Sequence, residues 1–348
     1  MLRSQKIFLV ASKRAYKNLA SELSALPFQI EWFHNFSGEP TWTDVRKACD
    51  KLQLANADCV LAVGGGSAID LGKAVSIFSA TDGLTIDQLE SGGDLNKLPL
   101  IAVPTTTGSG SEVTDIIVIT DEKSRRKHNP KHKKFVPDVV ILDPLLTVSM
   151  PKSVTAQTGM DALTHAIEAY LSTLASPLSD LFALEAIKLI GKWLKRAFDV
   201  PDDLDARDGM IRASMLAGLA FSNASTNLAH ATARPIGARF DLPHGLTVAL
   251  TLPYALAFGS DVNGKRYENI ADVLGTDDLI GFVTSYNEYF GLYKIAGKTI
   301  NVEEFIQAIP ILVDDALSGN GISTNRKTPT KLDVTNIYEK LAKDLMEG

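Results

Sequence analysis

Apolar positions in the first 150 residues form short, nearly continuous runs separated by segments with helical spacing. Such runs are typical of strands that are buried on both faces of a parallel sheet. The predicted strands cover residues 7–10, 28–33, 59–63, 100–103, 116–119 and 139–142, with helices over 15–26 and 68–78 between them. The pattern predicts an α/β domain with a parallel sheet over residues 1–150.

The pattern changes after Pro144. From about residue 154 onwards, helix-period patterns dominate and clear strands disappear. Leu178–Phe198, for example, repeats its apolar residues at near-helical spacing, as an amphipathic helix does. We therefore place a domain boundary within Asp143–Pro151 and predict an all-helical domain over residues 151–348.

Length, charge and the start of the chain are typical of a soluble globular protein. A chain of 348 residues is long enough for two cores. The net charge of -6 disfavours a nucleic-acid partner, which usually requires a basic excess. The start, Met1–Lys6, shows no signal peptide, and the longest apolar stretch, Leu246–Phe258, is predicted to be too short to span a membrane. We expect a cytoplasmic protein without membrane association.

The chain has two cysteines, Cys49 and Cys59, both in apolar segments. Reduced, buried thiols are the expected state in a cytoplasmic protein, because disulfides persist mainly in oxidising compartments. A disulfide between the two remains the alternative.

A glycine-rich turn follows one predicted strand. Val60–Val63 leads directly into Gly64–Ser67, after which a helix begins. Glycines at a strand-to-helix turn let the backbone approach a phosphate, and the positive end of the helix dipole stabilises the anion. The spacing is neither G-x-G-x-x-G nor a Walker loop. A plain tight turn is the alternative to phosphate binding.

A second polar loop and a basic segment add to this prediction. Thr105–Glu112, rich in hydroxyls and glycines, follows the predicted strand at 100–103. In parallel α/β sheets such loops gather at the carboxyl ends of the strands, where ligands bind. The basic stretch Lys123–Lys134 is either a solvated loop or a source of cations for a cofactor phosphate.

The helical half holds a candidate metal site. Asp161 and His165 are four residues apart, which places both on one helix face. His230 and His244 recur in similar apolar surroundings. One carboxylate and three imidazoles suit Fe(II) or Zn(II) better than Mg or Ca. Four protein ligands usually describe structural zinc, so catalysis would require a fifth ligand position. An Asp–His hydrogen bond or a buried core histidine is the alternative.

Four segments resemble a known family. They are Gly64–Asp70, Pro104–Thr114, Gly159–Glu168 and Leu242–Gly245. In chain order they resemble the GGGSxxD, PTTxGxGSEVT, GxDALxHAxE and PHG motifs of the iron-containing (group III) alcohol dehydrogenases. The resemblance runs over about residues 5–260 and is weaker afterwards.

This resemblance implies a dehydroquinate-synthase-like fold and a metal-dependent, NAD(P)-linked transfer of hydride between nicotinamide and an alcohol, aldehyde or ketone. The implied metal ligands are Asp161, His165, His230 and His244. The implied cofactor-binding residues are Gly65, Gly66, Ser67, Asp70, Thr105, Thr106 and Ser109, with Lys127 near the same cofactor. The resemblance also implies a homodimer and a small-molecule alcohol or aldehyde substrate.

Arg234 departs from the family pattern. Many members place a second histidine four residues after the ligand that corresponds to His230, where it relays the alcohol proton; this chain has Arg234. Arginine is a poor proton shuttle, but its planar fork binds carboxylate or phosphonate well. We therefore count Arg234 among the catalytic residues and expect an anionic aldehyde substrate, as in phosphonoacetaldehyde-reductase-like relatives, which His244–Leu250 also resembles. A structural arginine paired with an acid such as Asp241 is the alternative.

Two further departures concern the cofactor and the subunit contact. Many relatives have an acidic residue after the second strand that binds the adenosine ribose of NAD, and His34 stands there in this chain. Without that carboxylate, NADP(H) is expected to be tolerated and preferred. The chain also begins almost at its first strand, whereas relatives usually have a further strand that helps to pair two subunits, so the dimer contact is expected to be altered.

Three other functions remain open at this point. One is a simple primary alcohol dehydrogenase. The second is a dehydroquinate-synthase-like enzyme, which uses the same cofactor and a divalent metal. The third is an inactive metal- and nucleotide-binding paralogue.

Overall fold

The computed structural model describes residues 6–36, 38–81, 83–85, 88–89, 94–122, 126–319 and 321–347. The chain divides into two compact units, Met1–Thr147 and Val148–Gly348. Residues 1–5, which the signal-peptide prediction concerns, lie outside the described residues. So do residues 123–125 of the basic stretch.

The strands of the first unit are β1 (Lys6–Ala11), β2 (Gln29–Phe33), β3 (Cys59–Gly64), β4 (Leu100–Pro104), β5 (Ile119–Asp121), β6 (Arg126–His128) and β7 (Val139–Val140). Its helices are α1 (Lys13–Ser24), α2 (Trp42–Ala55) and α3 (Gly66–Phe78). Within the described residues, one parallel sheet has the strand order β2-β1-β3-β4-β7.

Strand β1 shows why this sheet forms. Phe8 and Val10 are buried in the core on one face of the sheet, and Leu9 and Ala11 are buried in the core on the other. Successive side chains of a strand point to opposite faces, so a continuous apolar run requires cover on both. The parallel α/β prediction is confirmed.

The strand predicted over 116–119 is wrong, because this segment does not form a strand of the central sheet. Ile119 begins β5, which pairs antiparallel with β6 in a separate two-stranded ribbon, and Ile116 makes an isolated bridge with Lys131. Ile117 and Ile119 are nonetheless fully buried. Their apolar run reflects packing against the core rather than membership of the central sheet, and periodicity cannot distinguish the two.

The second unit is helical throughout its described residues. Its helices are α4 (Lys152–Leu171), α5 (Pro177–Asp199), α6 (Leu204–Ala224), α7 (Leu228–Phe240), α8 (His244–Leu274), α9 (Leu279–Tyr289), α10 (Leu292–Gly297), α11 (Val302–Ser318) and α12 (Lys331–Glu347). Helix α4 lies at the centre and packs against α5, α6 and α8. The helical second domain is therefore confirmed.

Helix α8 is longer than its apolar stretch predicts. It runs for 31 residues and accommodates Pro253 in its interior. Among the described residues it is long and apolar enough to cross a membrane by length and composition, which the sequence prediction had excluded on length. However, 56% of the apolar window is buried inside the structure, as in a core helix.

Both cysteines are free thiols. Cys59 is buried in β3 and Cys49 is half-buried on α2. Burial raises the pKa of each thiol to about 11. Because the thiolate is the reactive form, burial lowers the nucleophilicity of both thiols at neutral pH.

Candidate functional site

Helix α4 provides two of the predicted metal ligands. Asp161 and His165 are one turn apart on the same face of this buried helix. Both side chains are buried, and His165 Nδ1 lies 3.7 Å from Asp161 Oδ1. The i, i+4 prediction for this pair therefore holds in three dimensions.

The other two predicted ligands come from the starts of α7 and α8. His230 Nε2 lies 3.0 Å from His165 Nε2 and 3.8 Å from Asp161 Oδ1. His244, the first residue of α8, has Nε2 at 3.7 Å from Asp161 Oδ1. One potential ligand atom from each of the four residues lies within 4.8 Å of the others. Residues distant in sequence thus form one cluster.

This cluster fits a divalent metal ion. Ligand atoms at about 2.0–2.2 Å from one tetrahedral ion lie roughly 3.3–3.6 Å apart. The distances from Asp161 Oδ1 to His230 Nε2 and His244 Nε2, 3.8 Å and 3.7 Å, are close to this spacing. Among the described residues, the buried Asp161 Oδ1 has no hydrogen-bond partner. Burial, with the nearby charge of Glu168, raises the pKa of Asp161 to about 7. A cation bound between the four side chains would satisfy this oxygen.

The protonation state of His230 also suits a ligand. Burial, followed by the positive charge of Arg234, holds the pKa of His230 well below its ordinary value. The ring is therefore neutral at physiological pH, as metal binding requires.

On another side of the cluster, Phe221 stacks on His165, with ring centroids 4.2 Å apart and an interplanar angle of 18°. Three of the predicted ligands are buried, whereas the side chain of His244 is 43% exposed, so the cluster is open on that side.

Glu168 is a residue of this site that the sequence prediction missed. Its Oε2 lies 2.5 Å from His230 Nδ1, and its Oε1 accepts a hydrogen bond from the backbone N–H of Ala229 at 2.6 Å. The available signal was its position on α4, one turn after His165.

Arg234 is half-buried, and burial lowers its pKa. The attraction between its charge and the charge of Glu168 counters this lowering. Glu168 is thus an acid whose charge acts on Arg234.

The glycine-rich turn lies where β3 passes into α3. Gly64 has a φ of 155°, and a Cβ there would lie 2.7 Å from Ala68 Cβ and 3.2 Å from Ser12 Cβ. Gly65 is the N-cap of α3, and no described side chain caps it. The first N–H groups of α3 are therefore available to an anion.

The second loop packs against this turn. Thr105 N donates to Gly64 O at 2.8 Å. A Cβ on Gly65 would lie 3.1 Å from Thr106 Oγ1, and one on Gly66 would lie 2.7 Å from Ser109 Oγ. The hydroxyls of Thr106 and Ser109, which are predicted to hold the cofactor, thus lie beside Gly65 and Gly66 at the start of α3.

Asp70 and Lys73 lie behind these loops. Asp70 is buried; its Oδ1 accepts from Ser111 Oγ and its Oδ2 from Val118 N at 3.0 Å. Lys73, which the sequence prediction missed, is fully buried and donates to Thr114 O at 3.0 Å. Burial lowers the pKa of Lys73 to about 8. Asp70 and Lys73 therefore connect α3 to the segment that follows the second loop.

Lys127 and His34, the two other positions that the sequence analysis linked to the cofactor, also belong to the first unit. Lys127, on β6, forms an ion pair with Glu39 at 2.7 Å. His34 follows β2 directly and stacks on Tyr16, with ring centroids 3.9 Å apart.

Comparisons with known proteins place both units in one group. A family model described as iron-containing alcohol dehydrogenase matches residues 1–144, and one described as Fe-containing alcohol dehydrogenase family, C-terminal, matches residues 155–342. The chain is 45% identical over 266 residues to "Probable alcohol dehydrogenase EutG" of Escherichia coli (strain K12), covering 75% of this chain and 67% of that protein.

Solved structures agree with these matches. A 1,3-propanediol oxidoreductase has a TM-score of 0.91 at 30% identity, covering 97% of this chain and 92% of its own. A sulfoacetaldehyde reductase from Bifidobacterium kashiwanohense, in complex with NAD+, has a TM-score of 0.88 at 31% identity, covering 97% of this chain and 91% of its own.

Proposed function

This chain belongs to the iron-containing alcohol dehydrogenase family and is a metal-dependent, NAD(P)-linked oxidoreductase, and we propose that it reduces aldehydes that carry a phosphonate or carboxylate group. The observation that carries the substrate proposal is Arg234, one helical turn after His230 on α7. The matches to both family models favour this assignment over the dehydroquinate-synthase-like alternative.

The proposed metal ligands are Asp161, His165, His230 and His244. Three imidazoles and one carboxylate suit Fe(II) or Zn(II). When bound, the ion supplies Lewis-acid stabilisation of negative charge on the substrate oxygen. The stacked ring of Phe221 shields His165 from water on one face, which strengthens electrostatic interactions within the cluster.

The proposed cofactor site is the turn at the start of α3. Gly65, Gly66 and Ser67 would present N–H groups to the pyrophosphate, and the hydroxyls of the second loop would bind its oxygens or the ribose; these are Thr105, Thr106 and Ser109. Both oxygens of Asp70 already accept hydrogen bonds, so its proposed role is to hold this loop in place. Lys127 remains a predicted neighbour of the cofactor.

Arg234 supports an anionic substrate on chemical grounds. A guanidinium remains protonated in proteins, so Arg234 cannot take over the proton relay of a histidine. Its fork can form two parallel hydrogen bonds to a carboxylate or phosphonate. The competing function is reduction of neutral aldehydes, with Arg234 as a structural partner of Glu168. The attraction between these two charges favours that alternative.

Replacing Arg234 with methionine separates the two functions. We expect KM for an anionic aldehyde to rise by at least about 10-fold, because a charge-assisted hydrogen bond is lost. The kcat/KM for a neutral aldehyde of the same length should change little. Arg239→Met, at an exposed site on the same helix, is the matched control. An unchanged KM for the anionic aldehyde in Arg234→Met would refute the anionic-substrate proposal.

The proposed cofactor preference is NADP(H), because His34 stands where a carboxylate would repel a 2′-phosphate. Introducing that carboxylate with His34→Asp should raise the Kd for NADPH by roughly 10-fold through like-charge repulsion, with little change for NADH. His34→Asn, which adds no charge, is the control. A wild-type protein that binds NADH much more tightly than NADPH would contradict the proposed preference.

We also propose a homodimer. The support is the family resemblance, in which two subunits pair through their first domains. Light scattering on the purified chain tests it: a mass near twice that of one chain is expected, and a monomer at assay concentration would contradict it.

A further inference from the structure

Glu168 binds the start of α7 with both of its carboxylate oxygens. Oε2 lies 2.5 Å from His230 Nδ1, and Oε1 accepts from Ala229 N at 2.6 Å and from His230 N at 3.4 Å. The side chain is buried, with 3% of the residue exposed. A carboxylate this deep in a protein is costly unless its oxygens are satisfied. Here they are satisfied largely by one proposed metal ligand and its neighbour.

The start of α7 is built to receive this carboxylate. Asn227 is the N-cap residue, but its side chain makes no cap hydrogen bond within the described residues. Instead, its Nδ2 donates to the backbone oxygen of Glu168 at 2.8 Å. The N–H groups of Ala229 and His230 are those that an N-cap side chain usually serves. Glu168 takes over that function from a neighbouring helix.

One helix therefore fixes three of the four proposed ligands. Asp161 and His165 are part of α4, and Glu168 on the same helix holds His230 through both its ring and its backbone. The neighbour of Glu168 along the chain, Ile167, is part of the apolar core and keeps the α4 backbone in place. The relative positions of these ligands thus depend on the geometry of one rigid element.

We infer that Glu168 is the positioning residue of the metal site: it keeps the His230 proton on Nδ1 and directs Nε2 towards the ion. This inference rests on the proposed metal site. A metal ion held on Nε2 requires the ring proton to be on Nδ1, and Glu168 Oε2, 2.5 Å from Nδ1, is the acceptor placed to receive it. The lone pair then lies on Nε2, the atom that faces His165 and Asp161. Such carboxylate–histidine pairs raise ligand basicity and fix ring orientation.

Glu168→Gln tests this role directly, because glutamine has the size and shape of glutamate but replaces one hydrogen-bond-accepting oxygen with an NH2 group. Its single oxygen can serve either Ala229 N–H or His230 Nδ1–H, while its NH2 group faces the other. If the NH2 group faces Nδ1, the proton moves to Nε2 and blocks the ligand lone pair. If the NH2 group faces Ala229, two donors oppose each other at the helix start. Either arrangement weakens His230 as a ligand.

The experiment measures Co(II) binding to metal-free, full-length protein by chelator competition, together with the visible Co(II) spectrum and the Tm of the metal-free form. We expect Glu168→Gln to bind Co(II) about 10–100-fold more weakly than wild type, with an altered spectrum. Thr164→Val is the matched control, because Thr164 is buried on the same helix and its hydroxyl donates to Met160 O of that helix. It should bind Co(II) within about twofold of wild type.

The outcomes separate the inference from the proposed site. Wild-type protein that binds no Co(II) would overturn the metal site itself. Wild-type binding that Glu168→Gln leaves unchanged would keep the metal site and overturn the role of Glu168. If metal-free Glu168→Gln does not fold, Glu168→Asp takes its place. It keeps the charge at the start of α7 but is too short to reach both groups, so it should bind Co(II) more weakly, and wild-type affinity would overturn the inference.

Discussion

Replacing Asp161 with asparagine is expected to lower kcat/KM by on the order of 10³-fold while leaving the metal-free protein at least as stable as wild type. The carboxylate is buried, its Oδ1 has no hydrogen-bond partner among the described residues, and Glu168 adds a like charge nearby. A neutral amide removes the cost of that buried charge and also removes the anionic ligand. Steady-state kinetics with added metal and thermal unfolding of the metal-free form measure the two effects.

Asp180→Asn is the matched control for this prediction. Asp180 also lies in the helical unit, but its oxygens pair with Arg266 at 2.8–3.0 Å. Its replacement should lower Tm and leave kcat/KM close to wild type, the reverse of the Asp161 result. An Asp161→Asn protein with wild-type turnover would remove Asp161 from the catalytic site. One that unfolds at a markedly lower temperature would show a structural role instead.

Replacing Gly245 with alanine is the second large expected effect. A Cβ at this position would lie 2.5 Å from the backbone oxygen of Gln157 and 3.3 Å from Asp161 Cβ. Because a backbone atom cannot move aside as a side chain can, the start of α8 must shift away from α4. That shift carries His244, the preceding residue, away from Asp161. Since a displacement of about 1 Å can cost roughly 100-fold in rate, we expect kcat/KM to fall by about that factor.

Gly264→Ala on the same helix controls for the substitution itself. No described heavy atom lies within 4 Å of a Cβ built there. Alanine in a helix interior is favoured over glycine by about 0.5–1 kcal/mol, so Gly264→Ala should raise Tm slightly and leave activity unchanged. If Gly245→Ala binds Co(II) and turns over like Gly264→Ala, the closeness of α8 to α4 is not needed for the site.

The parts of the fold that follow a local pattern could be predicted from the sequence. A continuous apolar run such as 59–63 indicates a strand that is buried on both faces, and β3 is that strand. The helical spacing over 178–198 matches the bounds of α5 to within one residue at each end. The run at 116–119 misled because burial alone does not say which sheet, if any, a segment joins. Its neighbour β6 lies several residues later, and that pairing has no local signature.

The candidate site divides in the same way. The Asp161–His165 pair is a local spacing, whereas bringing His230 and His244 beside it depends on helix packing, which the family resemblance rather than the pattern implied. Glu168 was overlooked because a glutamate on a helix is usually solvated, and its burial emerges only when the first residues of α7 bind its carboxylate. The same holds for Lys73, whose three described hydrogen-bond acceptors lie more than 40 residues away.

The central claim is that Asp161, His165, His230 and His244 hold one metal ion. X-ray absorption spectroscopy on wild-type protein reloaded anaerobically with Zn(II) tests it most directly. The account predicts three imidazole nitrogens and one carboxylate oxygen at about 2.0–2.2 Å from the metal, with any further ligand from solvent or substrate. A thiolate at about 2.3 Å, or a shell with fewer than three imidazoles, would contradict it.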